Sequence, residues 1–147
     1  MKKSMIVAAM LAMVATGANA KSATDSATIA VSSLLTSTVN IDANATSTAL
    51  TVALTGGIAA DIIDIDTVAT STSVVVTGDL GLGTDTVDLS DTTYTTTAMT
   101  KDISGLLNYE TATITGKDGV KDTLKGGAGV DTITGGTGVD TMTGGAG

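Results

Sequence analysis

The chain has 147 residues and a formal net charge of −8, with 15 acidic residues against 7 basic ones. It holds no Cys, His or Pro, which excludes disulfides, thiolate metal sites and imidazole acid–base chemistry at neutral pH. The basic residues are all Lys and form no stripe, so nucleic acid would be repelled while divalent cations would be attracted.

Lys2 and Lys3 precede the apolar run Met5–Val14, and Ala18-Asn19-Ala20 supplies the small residues that signal peptidase reads. The run is too short to span a bilayer as a permanent helix. Residues 1–20 are therefore expected to be an export signal cleaved after Ala20, leaving Lys21 as the mature terminus and no membrane span.

From about Thr28 to Thr115 the chain is rich in Thr, Val, Ile, Ala and Ser. Short apolar or alternating runs recur at Thr28–Val31, Thr38–Ile41, Ala49–Leu54, Ile62–Ile65, Ser73–Val76 and Thr86–Leu89, each bounded by turn residues. This density of β-branched residues predicts an all-β body, either a β-solenoid or a sandwich. One helix candidate, the single turn Ser104–Tyr109, follows Asp102. Asp64 and Asp66 alternate with Ile residues and read as the solvated face of a strand rather than a catalytic pair. No nucleophile-elbow or P-loop pattern occurs, and no enzyme is expected. Asn44 lies in an Asn-x-Thr pattern that reads as a plain turn, with sugar attachment as the alternative. Gly81-Leu82-Gly83-Thr84-Asp85 lies within a looser grammar of apolar-Thr-Gly, a short turn, then Asp-x-apolar. Asp85 reads there as a turn aspartate, with metal ligation as the alternative.

The end of the chain is more regular. Gly126-Gly127-Ala128-Gly129-Val130-Asp131-Thr132-Ile133-Thr134 is followed by Gly135-Gly136-Thr137-Gly138-Val139-Asp140-Thr141-Met142-Thr143, then Gly144-Gly145-Ala146-Gly147. These are two copies of Gly-Gly-x-Gly-x-Asp-x-U-x, with U apolar, and the opening of a third. The glycines allow a tight curl that points carbonyl oxygens at one centre, and each Asp adds a charged oxygen. Such a donor set suits Ca²⁺, a hard cation that takes about six to eight oxygens. Alternation places Ile133 and Met142 inward, with Thr132, Thr134, Thr141 and Thr143 outward. A degenerate copy, Gly116–Leu124, carries one extra residue and two lysines.

The pattern resembles the RTX (hemolysin-type) calcium-binding repeats of secreted bacterial proteins. That resemblance implies a parallel β-roll in which ions lie between turns two repeats apart. The turn Gly126–Asp131 would then face the one beginning at Gly144, and Gly135–Asp140 would face Gly116–Asp122. The implied metal-site residues are Asp122, Gly127, Gly129, Asp131, Gly136, Gly138, Asp140 and Gly145. Asp102–Gly116 looks similar to the lead-in that precedes the repeats of large RTX surface proteins, and Val76–Leu89 resembles segments of surface-layer and adhesin-like proteins. The array stops inside a repeat, as a truncated chain would.

The expected organisation is a signal at 1–20, a Thr/Ala/Val-rich β body at 21–115 and an incomplete calcium-binding β-roll at 116–147. The expected function is a secreted structural or adhesive protein of the bacterial cell surface, folding its repeats on Ca²⁺ and open to self-association or surface attachment. The alternative is a non-catalytic, RTX-bearing fragment of a secreted hydrolase or toxin.

Overall fold

The computed structural model describes residues 18–21, 27–30, 37–42, 49–66, 72–96 and 98–147. The expected leader up to residue 17 and the Asn44 turn lie outside the described residues. Among the described residues twelve strands follow one another: β1 (Ala18–Lys21), β2 (Ala27–Ala30), β3 (Ser37–Asp42), β4 (Ala49–Thr55), β5 (Asp61–Asp66), β6 (Ser73–Asp79), β7 (Thr86–Leu89), β8 (Ala98–Leu107), β9 (Thr111–Thr115), β10 (Lys121–Lys125), β11 (Val130–Thr134) and β12 (Thr141–Thr143). All six runs read from the sequence correspond to strands, β2 to β7. The last residue of the first run, Val31, lies outside the described residues.

Odd-numbered strands form one six-stranded sheet and even-numbered strands another, in the orders β1-β3-β5-β7-β9-β11 and β12-β10-β8-β6-β4-β2. Every pairing is parallel. Parallel neighbours need a crossover, and here each crossover is a strand of the opposite sheet, so two strands make one coil. Of the two architectures open at the sequence level, this is the solenoid, because no two consecutive strands pair.

The core lies between the sheets and follows from period-two alternation. In β5 the pattern buries Asp61, Ile63 and Ile65 while Ile62 and Asp66 face out. Ile63, Val87 and Ala112 stack in register, as do Leu89 and Ile114, giving continuous apolar columns. On the solvent side Asp64 pairs with Asp88. Partial burial, then the charges of Asp88 and Asp91, raise the Asp64 carboxyl above its ordinary range.

The helix expected at Ser104–Tyr109 is not there: β8 runs on through Leu107, and Asn108 turns the chain with φ 54°. Parallel pairing to β6 overrides the local signal. Ile103 and Leu106 are both buried, and a register shift between Val75 and Thr77 accommodates their odd spacing.

The winding continues unchanged from β9 into β10, where body gives way to repeats. What changes is the coil length. Stacked aspartates are 24 residues apart at Asp61 and Asp85, but 18 apart at Asp122 and Asp140. The shorter coil is two nonapeptides.

Candidate metal centre in the stacked glycine turns

Turns at the two ends of the strands form two edges of the solenoid, and the repeat turns alternate between them. On one edge the turn 135–140 lies on the turn 116–122. The Gly116 N–H donates to Thr134 O at 2.7 Å, Gly119 N–H to Thr137 O, Thr137 N–H to Asp118 Oδ1 at 2.7 Å, and Asp122 N–H to Asp140 Oδ1 at 2.9 Å. On the other edge, turn 144–147 lies on turn 126–131, with Gly126 N–H on Thr143 O at 2.9 Å and Ala146 N–H on Gly127 O at 2.8 Å. Both facing pairs are those that the resemblance to RTX repeats implied.

The degenerate copy stacks despite its extra residue. Gly119, at φ +75°, closes a tighter loop in which Val120 N–H donates to Lys117 O at 3.3 Å. Its lysines stay clear of the carboxylate: Lys117 Nζ donates to Tyr94 O at 2.5 Å, and Lys121 is exposed.

Asp122 is fully buried. Its Oδ2 accepts the Lys117 N–H at 2.7 Å and the Tyr94 hydroxyl at 2.8 Å. Its Oδ1 is buried with no hydrogen-bond partner, which is costly for a carboxylate unless a cation compensates. Asp131 Oδ2 accepts the Gly127 N–H at 2.9 Å, and its Oδ1 accepts the Tyr109 hydroxyl at 2.8 Å.

Glycine is required where a carboxylate of one turn meets a carbonyl of the next. A Cβ at Gly126 would lie 2.2 Å from both Asp131 Oδ2 and Gly144 O; one at Gly116 would lie 2.6 Å from both Asp122 Oδ2 and Gly135 O. The small gaps between turns are thus lined by oxygen. Among the described residues no three acidic side chains converge on one centre. The stacked pair Asp122 and Asp140 offers two carboxylates, and backbone carbonyls must complete any coordination shell. Such an all-oxygen set, with a bare buried oxygen in it, fits a hard divalent cation.

Of the residues singled out from sequence, Asp122, Gly136, Gly138 and Asp140 come together on one edge. Gly127, Gly129, Asp131 and Gly145 come together on the other. Gly129 packs against Tyr109, whose carbonyl and ring would both clash with a Cβ there.

The sequence reading missed the groups that close each stack on its upstream side. The chain has two tyrosines and no other aromatic residue, and each tyrosine donates its hydroxyl to the first repeat carboxylate on its edge. Burial, then the hydrogen bond to Asp131, pushes the Tyr109 hydroxyl up to about 12. Burial and the Asp122 carboxylate raise that of Tyr94 likewise. Lys101 is also fully buried. Its ammonium donates to Leu89 O at 2.7 Å, Asp91 O at 2.6 Å and Thr115 O at 2.7 Å, and lies 5.4 Å from the Tyr94 ring centroid. Burial lowers Lys101 to about 8 against the pull of Asp91, Asp122 and Asp88. Lys101 is spaced with apolar neighbours Met99 and Ile103, and that was the available signal.

The family model of the RTX calcium-binding nonapeptide repeat (four copies) matches residues 113–147. RTX calcium-binding repeats are present here. The four turns described above all fall within that match. No curated protein and no solved structure matches the chain.

Proposed function

We propose that this is a secreted, non-catalytic calcium-binding protein with a structural or adhesive role at a bacterial cell surface. In this reading the RTX end orders outside the cell. The buried Oδ1 of Asp122, bare inside an oxygen-lined gap between stacked turns, carries the reading. When bound, calcium supplies the positive charge that lets Asp122 and Asp140 stack. The chain's own contribution is to hold those carboxylates with backbone N–H groups and with the Tyr94 hydroxyl, and to keep the gaps open with glycine.

Extracellular calcium modules bind at about 10⁻⁴–10⁻³ M, so the RTX end would stay unfolded in a low-calcium cytoplasm and order after export. Cleavage after Ala20 would leave only Lys21 of β1 in the mature protein. Circular dichroism of the full chain in chelator and in millimolar calcium tests the folding claim: β signal rising with calcium supports it, and an unchanged spectrum rejects it. Sequencing the exported protein tests the leader, with Lys21 expected first and Met1 contradicting it. Calcium-dependent light scattering tests self-association.

A further inference from the structure

Outside the RTX match, one pair of turns repeats its geometry. The turn Gly81-Leu82-Gly83-Thr84-Asp85 has φ +87° at Gly81 and +157° at Gly83; in the repeat turn ending at Asp140, Gly136 has +81° and Gly138 +156°. Each turn lies on an earlier one in the same way. The Asp61 N–H donates to Asp85 Oδ1 at 2.7 Å, as the Asp122 N–H donates to Asp140 Oδ1 at 2.9 Å. Leu82 N–H donates to Gly57 O at 2.9 Å, as Ala146 N–H does to Gly127 O at 2.8 Å. A Cβ at Gly81 would lie 2.1 Å from Gly57 O, and one at Gly145 2.2 Å from Gly127 O.

The decisive observation is a side-chain atom. Asp85 is fully buried, and its Oδ2 has no hydrogen-bond partner. Its nearest charged neighbours are acidic: Asp61, also fully buried, on one side and Glu110 on the other, whose Oε2 accepts the Asp85 N–H at 2.5 Å. Burial raises the Asp85 carboxyl, and so do the charges of Asp61 and Glu110, against the bond from the Asp61 N–H. A carboxylate so placed takes either a proton or a cation.

We propose that the turns 57–61 and 81–85 hold a further site for a hard divalent cation of the calcium class, with Asp61 and Asp85 as its carboxylates and backbone carbonyls of the same turns as its remaining ligands. The inference rests on the same oxygen chemistry as the repeat reading but on other residues. It would place a metal within the apolar body, upstream of the RTX repeats, and make those turns of the body responsive to calcium.

The test is calcium stoichiometry of the full chain by native mass spectrometry, beside amide chemical shifts of the unsubstituted protein during a calcium titration. Asp85→Asn should bind one ion fewer than the parent, and the amides of residues 82–86 should shift saturably in the parent. An unchanged count in Asp85→Asn, the result expected if the carboxyl merely holds a proton, overturns the proposal. So do amides at 82–86 that ignore calcium, and this second readout decides alone if the variant does not fold. Asp122→Asn and Asp140→Asn separate the two claims. If they keep every ion while Asp85→Asn loses one, the repeat reading fails and this site stands. If they lose ions and Asp85→Asn does not, the reverse holds.

Discussion

The coils before and after residue 115 wind alike but are held by different forces. Upstream, Leu50, Val52, Ile63, Val74, Val87 and Ile103 are all at most 2% exposed, and each such side chain contributes about 1.5–3 kcal/mol on burial. Downstream, the column of Leu124 continues to Met142, which is 55% exposed, and the column of Ile114 ends on a half-buried Ile133. Shortening the coil to 18 residues trades apolar side chains for glycine turns and aspartates. In the proposed reading, the order of the repeat turns depends on what neutralises their carboxylates. The two tyrosines and Lys101 sit near the boundary, where hydroxyls and an ammonium meet the oxygens that calcium is proposed to take up further on.

The contrast can be sharpened by substitution, beginning with the core. Ile114→Ala should cost about 2–5 kcal/mol by chemical denaturation whether or not calcium is present, whereas Met142→Ala should cost less than about 0.5 kcal/mol. A calcium-dependent cost at Ile114 would blur the division. Asp122→Asn should remove calcium-linked stabilisation of about 2.7 kcal/mol at roughly a hundredfold excess over the dissociation constant. Thermal melts of the variant in chelator and in calcium should then lie closer together than those of the parent.

Lys101→Met leaves three carbonyls without their donor and should cost about 1–3 kcal/mol at pH 8. Its pH dependence has a definite sign. Lys101 falls from 10.5 to about 8 on folding, so between those values the unfolded chain holds a proton that the folded chain has shed. Stability from this group therefore rises with pH across that window. The difference between parent and Lys101→Met should grow from pH 8 to 10.5 in urea titrations; a shrinking difference would contradict the burial of the ammonium. A modest effect is expected at Tyr109→Phe, which removes one hydrogen bond to Asp131 and should cost about 1 kcal/mol. Here weaker calcium binding, read by calorimetry, marks a positioning role rather than simple packing.

Much of this was legible in the residues. β-branched alternation located β2 to β7, and the resemblance to RTX repeats implied which turns face each other: Gly126–Asp131 with Gly144, and Gly135–Asp140 with Gly116–Asp122. Long-range pairing was not legible. Ser104–Tyr109 looked helical because Asp102 could cap it, yet pairing with β6 made it a strand. The choice between solenoid and sandwich was open because both use the same short strands. Lys101 and the two tyrosines were missed because their partners lie 10 to 28 residues away and no local pattern connects them. Met142 stands in the expected inward column, in register with Leu124, and is 55% exposed.

Amide hydrogen exchange across the whole chain, in chelator and in millimolar calcium, tests the central claim most directly. The account predicts fast exchange over residues 126–147 without calcium and strong protection with it, while residues 98–115 stay protected in both. Equal protection of the two regions in chelator would contradict it.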